Sequence, residues 1–379
     1  MTGTAVARRS REPVGSDVPL NVAVVAPPWF EVPPQGYGGI ESVVADLVAV
    51  LVARGHHVTL VAAGRSLTSA QRFVQTFVVP PTERLGAAVP EVLHAAVAGA
   101  ALADLDVDVV HDNTLAGPLL AAGRAVPTVV TSHGPVTGEY ARLYERLSDS
   151  VGLVAISRSQ RALNPGLNWV GTVHNGIDVA SYPFSRSKDD YLLWLGRFSH
   201  EKAPHLAIDA ARAVGAPIVL AGKVNEPCEH EYLDAMVAPR LGPDVEIVGE
   251  ADAGLKRQLL VRARALLFPI QWEEPFGIVM IEAMACGTPV VALRRGSVPE
   301  VVRHGVTGIV ADDFASFVAG IDAATDLDPD ACRRHAERYF DRAVMGSGYE
   351  RIFRAAVESG IPHVGPSRVG QSRIGAAAS

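Results

Sequence analysis

Two glutamates eight residues apart, Glu274 and Glu282, bracket the start of an apolar segment in EEPFGIVMIEAMACGTPVVA, residues 273 to 292. Pro275 and Gly277 fix a turn, residues 278 to 286 are helix formers, and Gly287 with Pro289 stops the helix before a Val-rich strand. The spacing therefore places the N–H groups of Gly277, Ile278 and Val279, just after Phe276, at a helix N-terminus, where they lack intrahelical partners and favour an anion. Carboxylates beside such a site suit a sugar nucleotide, with acceptors for sugar and ribose hydroxyls next to donors for a diphosphate. The plainer account makes Glu282 a surface helix residue and Glu274 a partner of the helix dipole, and two glutamates alone favour it.

Three further loops carry polar chemistry. In LGRFSHEKAP, Arg197 and Lys202 stand one and six residues past Gly196 at the end of an apolar strand segment, so a guanidinium and an ammonium are placed to neutralise a departing diphosphate. In GYGGIE, Gly38 and Gly39 permit close backbone approach to a ligand, and the spacing is not that of a nicotinamide-binding GxGxxG loop. His133, in TVVTSHGP, ends another apolar run and is placed to hydrogen-bond a sugar hydroxyl or to carry charge near a reacting centre. Taken singly, an R-x4-K pair reads as an ordinary solvated loop and an isolated histidine as a local hydrogen-bonder.

The elements that must position these loops follow from periodicity. LNVAVVA is too short for a helix and reads as a strand buried on both faces; Ile40, Val43, Val44, Leu47, Val48 and Leu51 recur at helical spacing until Gly55, and HVTLVAA is a second strand. Strand, glycine loop, helix, strand is a βαβ unit, which requires a parallel sheet with a right-handed crossover. EVLHAAVAGAALADL, VDVVH, TVVTS and GLVAIS extend it. A second cycle opens at YLLWLG and runs through PIVLAG, VEIVG, ALLFP and PVVAL. The expected fold class is α/β, two Rossmann-like doubly wound domains facing across a cleft. One spans 19–178, the other spans 186–340, and a helix at 341–360 crosses back onto the first. Residues 1–18 read as a disordered leader without an apolar signal segment and residues 364–379 as a disordered tail.

Composition limits the function classes. The chain of 379 residues holds 34 Lys and Arg against 41 Asp and Glu, a net charge of −7, which argues against nucleic acid as a partner. No apolar stretch reaches the roughly 18 residues of a membrane span. The 3 cysteines, Cys228, Cys286 and Cys332, are widely separated and give neither a disulfide framework nor a zinc knuckle, so the expected location is cytoplasmic.

Together the four loops resemble family 4 of the retaining glycosyltransferases, which have the GT-B fold, and the resemblance runs from the first strand to the crossover helix. Its most specific element is the E-x7-E pattern of Glu274 and Glu282 within EPFGIVMIEAMACGTPVV. The resemblance implies that Arg197 and Lys202 bind the donor diphosphate, that Glu282 holds the ribose, and that Glu274 with the backbone after Phe276 holds the transferred sugar. It implies that Gly38 and Gly39 line the donor site and that His133 is the active-site histidine, with no metal or cofactor beyond a nucleoside diphosphate sugar. HNGID, residues 174 to 178, resembles the interdomain turn. In one place the chain departs from the pattern: many members carry a second histidine two residues after the one matching His111, where this chain has Asn113.

The expected activity is metal-independent transfer of a sugar, with retention, to the hydroxyl of a glycan, lipid or small-molecule acceptor, which leaves room for peripheral membrane contact. The alternatives are a glycoside hydrolase using Glu274 and Glu282 as its carboxylate pair, and a sugar-nucleotide-binding protein without turnover. Asp106-Val107-Asp108 imitates a metal-binding DxD but directly precedes a strand and reads as a turn; Asp326, Asp328 and Asp330 read as helix caps; Cys228 and His230 fall in an acidic loop and make no metal site.

Overall fold

The structure, a computed structural model, describes residues 18–36 and 38–361; the expected leader, apart from Val18, and the expected tail lie outside them. Seven parallel strands form the first sheet: β1 (Asn21–Val25), β2 (His57–Ala62), β3 (Arg72–Gln75), β4 (Val109–Asp112), β5 (Thr128–Ser132), β6 (Gly152–Ala155) and β7 (Trp169–Thr172), in the order β3-β2-β1-β4-β5-β6-β7. Six more form the second: β8 (Leu192–Leu195), β9 (Ile218–Ala221), β10 (Val245–Gly249), β11 (Ala265–Phe268), β12 (Val290–Leu293) and β13 (Gly308–Ala311), in the order β10-β9-β8-β11-β12-β13.

Helices cover both faces of each sheet, so central strands such as β8, β11 and β12 are apolar along their length rather than alternating. In the first lobe these are α1 (Gly39–Ala53), α2 (Ala88–Ala103), α3 (Gly138–Leu147) and α4 (Arg158–Leu163). The second lobe carries α5 (Pro204–Ala213), α6 (Pro227–Tyr232), α7 (Ala253–Arg262), α8 (Ile278–Ala285), α9 (Val298–Val301), α10 (Phe314–Thr325) and α11 (Pro329–Phe340). The last helix, α12 (Arg342–Ser359), returns to the first lobe. No helix among the described residues is long and apolar enough to cross a membrane.

Each sheet winds outward in both directions from one point, between β1 and β4 in the first lobe and between β8 and β11 in the second. Where order reverses, neighbouring loops leave the strand ends in opposite directions and open a crevice. The loops after β1, β5, β8 and β11, together with the helices α1 and α8 that open from two of them, carry the site residues singled out in the sequence.

The two lobes are joined by the chain between β7 and β8 and by the start of α12. Ile177 N–H donates to Phe340 O at 3.0 Å and Arg342 N–H to Ile177 O at 2.8 Å, so both crossings run side by side. Arg342 bonds Asp46 of α1 at 3.3 Å and Asp178 at 3.1 Å, and Arg54 pairs with Glu350 at 2.6 Å. Tyr349 Oη lies 2.8 Å from Thr131 Oγ1. Glu300 of α9 accepts from the N–H groups of Arg158 and Ser159 at 2.9 and 2.6 Å, so one lobe caps helix α4 of the other.

Several expectations need correction. Cys228 and His230 lie on helix α6, not in a loop. Strands β3, β7 and β13 escape the pattern reading; all three lie at sheet edges, and β3 and β7 contain no fully buried residue. Two other readings agree with the structure: Asp328 caps α11 through Asp330 N–H at 2.9 Å, and Asp108 Oδ2 accepts from Asn21 N–H at 2.8 Å across the turn before β4.

Helix α12 approaches α1 through Gly346, where an added Cβ would overlap Val50 Cγ1. Gly346→Val should cost about 2–3 kcal/mol by overpacking, seen as a melting temperature lower by roughly 5 °C or more. Adding Val50→Ala should restore part of that loss in the same calorimetric scan, and no restoration would refute this contact as the cause.

Candidate functional site

The apolar strand β11 delivers the chain to Trp272–Gly277, and Gly277, at φ 74°, makes the left-handed turn from which α8 starts. A side chain there would be strained and would meet Met280 Cε at 2.7 Å. The turn is buttressed by residues beyond the motif. Ser297 N–H donates to Glu274 O at 2.9 Å, Ser297 Oγ to Phe276 O at 2.8 Å, and Gly296 N–H to Glu273 Oε2 at 2.8 Å. Gly296, at φ 51°, has no room for a Cβ against the Glu274 backbone. The result is a rigid helix start whose first N–H groups have no intrahelical acceptor.

Both glutamates of the E-x7-E pattern are buried, at 7% and 5% exposure, which overturns the surface-residue account of Glu282. Glu274 forms an ion pair with Lys202 and accepts from Trp272 Nε1 at 3.0 Å. Glu282 accepts from Lys256 Nζ at 2.5 Å and from Tyr182 Oη at 2.7 Å. Burial first and the Glu282 carboxylate second hold the Tyr182 phenol well above its ordinary range, so it stays a donor.

Lys202 reaches Glu274 because the chain bends sharply after it. Ala203 is the only non-glycine with positive φ among the described residues, at 46°, and it is fully buried. That conformation costs on the order of 1 kcal/mol and persists because its surroundings fix it. Ala203 N–H donates to Ser199 O at 2.9 Å and Trp194 Nε1 to Lys202 O at 3.1 Å. The Lys202 ammonium also lies 5.7 Å and 5.5 Å from the ring centres of Phe268 and Trp272. Arg197 follows β8 on the same loop, and its Nη1 is 3.3 Å from Glu229 Oε1 of α6. The structure thus brings Lys202, Glu274, Phe276, Gly277, Ile278 and Val279 together, while Arg197 is held from the α6 side.

The first lobe supplies the opposite wall. Gly39 begins α1, and Ile278 Cδ1 of α8 lies 3.5 Å from where its Cβ would be, so the two helix starts meet across the cleft. Gly38 adopts φ 150° over Pro34 and Glu41. His133, at the end of β5, has Nε2 at 2.9 Å from Asn113 Oδ1. Desolvation drives its pKa down to about 4, so the ring is neutral near pH 7. Across the same gap Lys223, after β9, sits 5.0 Å from the centre of the Phe30 ring. A hollow of about 280 Å³ lies between Phe30, Gln35, Gly36 and Glu250. A larger one of about 360 Å³ opens between Tyr191, Pro217 and Asp244 at the opposite strand ends, away from these residues.

Sequence reasoning missed Lys256, Tyr182, Glu229, Lys223 and Ser297. None belongs to a contiguous motif; each is a solitary polar residue on a separate element, and only packing brings it to the cleft. Glu41 alone had a local signal, as a carboxylate two residues after the glycine pair.

The comparisons with known proteins cover both lobes. Residues 37–181 match the family described as Glycosyltransferase Family 4, and residues 182–339 match Glycosyl transferases group 1. A glycogen synthase of Mycobacterium tuberculosis is 30% identical over 284 residues, covering 67% of this chain and 68% of that one. A phosphatidyl-myo-inositol mannosyltransferase of Mycolicibacterium smegmatis is 26% identical over 386 residues, 90% of this chain and 95% of its own length. Among solved structures, a glycosyltransferase involved in avilamycin A biosynthesis superposes with a TM-score of 0.69 at 30% identity, over 89% of this chain and 98% of that one. Anabaena HepE, in complex with UDP-glucose, superposes at 0.67 and 17% identity over 88% of this chain and 98% of that one, a likeness of fold.

Glu41 has an electrostatic cost that can be measured. Desolvation raises its carboxyl pKa to about 7, against smaller opposing effects of its own backbone N–H and Lys223. A carboxyl raised in the folded state leaves stability intact below its unfolded pKa of 4.5 and lowers it as pH rises through 7, by on the order of 3 kcal/mol. Glu41→Gln should therefore match the parent chain in denaturant melts near pH 4.5 and exceed it at pH 8; equal stability at pH 8 would contradict the assigned burial cost.

Proposed function

The chain belongs to glycosyltransferase family 4, with its group 1 second lobe and GT-B fold, and on that premise we propose that it is a retaining hexosyltransferase. It moves a sugar from a nucleoside diphosphate donor to an acceptor hydroxyl without a metal ion or further cofactor. The observation that carries this reading is the Lys202–Glu274 ion pair at the start of α8. It sets a cation, a carboxylate and free helix N–H groups on one small surface.

In this reading the diphosphate sits at the N-terminus of α8 with Lys202 and Arg197, and Glu282, fixed by Lys256 and Tyr182, accepts from the ribose hydroxyls. Glu274 and the N–H groups after Phe276 hold the transferred sugar, and Gly38 and Gly39 let the first lobe approach the donor. His133 faces the sugar from the other wall. Breaking the anomeric bond builds negative charge on the diphosphate and positive charge on the sugar. Preorganised donors aimed at the former are each worth about 3 kcal/mol. The leaving phosphate then accepts the proton of the attacking hydroxyl on the same face of the sugar, which gives retention without a covalent intermediate.

Glu274 and Glu282 each have a lysine of their own, on different elements, and share no hydrogen-bond partner among the described residues. A hydrolase needs the two carboxyls to face one scissile bond, and nothing in this arrangement favours that reading. The acceptor lies against the first lobe.

Lys202→Ala should lower transfer by about 100-fold or more and, by stranding the buried Glu274 carboxylate, lower the melting temperature by a few degrees while leaving the far-UV circular dichroism unchanged. Product analysis after incubation with UDP-, GDP-, ADP- or dTDP-sugars in EDTA should show a retained anomeric configuration. Turnover at the parental rate in Lys202→Ala, or hydrolysis of an aryl glycoside without nucleotide, would refute the assignment.

A further inference from the structure

The hydrogen-bond roles around His133 can be assigned atom by atom. Val25 O, at the end of β1, accepts from Asn113 twice, from the backbone N–H at 3.0 Å and from side-chain Nδ2 at 3.1 Å. A carbonyl oxygen only accepts, so the Asn113 amide has one orientation, and Oδ1 is the atom 2.9 Å from His133 Nε2. Oδ1 also only accepts, so Nε2 must carry a hydrogen. The backbone on either side of His133 is fixed independently: Gln160 Nε2 donates to Ser132 O and to Gly134 O, both at 2.9 Å, and Gln160 Oε1 accepts from Ile156 N–H at 2.9 Å. The histidine is held by its ring on one side and by its own backbone on the other.

The neutral ring has a single hydrogen, and it is spent on Asn113. Burial is the cause that pushes the His133 pKa down to about 4. Its titratable neighbour on β4 is His111, pushed down to about 3 and bonded to Thr131 Oγ1 at 2.8 Å. After β4 it meets the side chain of Asn113, and Gln160 of α4 holds its flanking backbone; among the described residues no charged group shifts its pKa. Nδ1 has no hydrogen-bond partner among the described residues. It is also not sealed in, unlike the orphaned ring nitrogens of His56, His94 and His111. The ring is half-buried at the C-terminal end of β5, on the rim of the cleft.

We propose that Asn113 is a positioning residue that holds His133 as its Nε2–H tautomer, so that Nδ1 meets bound substrate as an acceptor and selects a hydroxyl group there. The opposite tautomer, or an imidazolium, would present a donor and so admit a carbonyl or phosphate oxygen as readily as a hydroxyl, whereas an acceptor admits only the hydroxyl. At this wall the chain therefore recognises an uncharged, hydroxyl-bearing part of a sugar or acceptor rather than a phosphorylated one. The identity of that substrate rests on the glycosyltransferase reading; the tautomer does not.

Two-bond proton–nitrogen NMR on the full chain labelled with 15N-histidine, with His133→Gln to assign the signals, separates the two. The expected spectrum between pH 5 and 8 has His133 Nδ1 at the position of an unprotonated ring nitrogen and Nε2 at that of a protonated one. A protonated Nδ1, or averaged positions, in the parent chain would overturn the proposal whether or not sugar transfer is ever observed. Asn113→Leu should bring the two signals toward averaging, and unchanged signals would overturn the role of Asn113. Asn113→Asp should charge the ring at pH 7 and lower transfer by about tenfold, with recovery at higher pH. The same change in a His133→Gln chain should alter transfer by less than about twofold; an equal tenfold loss there would show a merely structural residue.

Discussion

The site depends on a reversal of strand order that occurs once in each lobe. A parallel sheet wound outward from its middle leaves one place where adjacent loops part, and there alone backbone and side chains from two neighbouring strands can surround a ligand. Here the two such places face each other. β1 and β4 contribute Gly38, Gly39 and Asn113, β5 at the next position adds His133, and β8 and β11 contribute Arg197, Lys202 and the start of α8. Residues separated by up to 239 positions in the chain, Gly39 and Ile278 among them, come into contact because the sheets put them there.

The cleft is also where local rules are broken. Ala203 holds a backbone conformation that other non-glycine residues among those described avoid, Glu41 carries a carboxyl where burial disfavours charge, and both glutamates of the motif are taken out of solvent. The bend and the two motif glutamates are offset by specific neighbours: Ser199 and Trp194 brace the bend, and Lys202 and Lys256 neutralise the carboxylates, whereas the cost at Glu41 stands. These are departures from optimal stability concentrated where ligand chemistry needs fixed charge and close backbone approach.

Both lobes and most of their strands were legible because buried parallel strands are short apolar runs and the intervening helices keep their own period. The turn at Gly277 was legible for the same local reason: glycine, proline and helix formers lie next to one another. The partners were not. Nothing near Lys256 marks it as the ion-pair partner of Glu282, and nothing near Glu229 marks it as the residue that holds Arg197. The burial of Glu282 was misjudged for a related reason. A glutamate in a helix is exposed on average, and only the neighbouring Tyr182 and α7 decide otherwise.

The paired crossing between the lobes constrains how the protein can move. Ile177 is clamped between Phe340 and Arg342, so two covalent connections lie hydrogen-bonded alongside each other rather than at separate corners of the molecule. Such a doubled ribbon resists sliding and twisting but can flex across its width. Opening of the two halves is thereby reduced to swinging about one short axis, like a book on its spine, and a ligand touching both pages sets the angle between them.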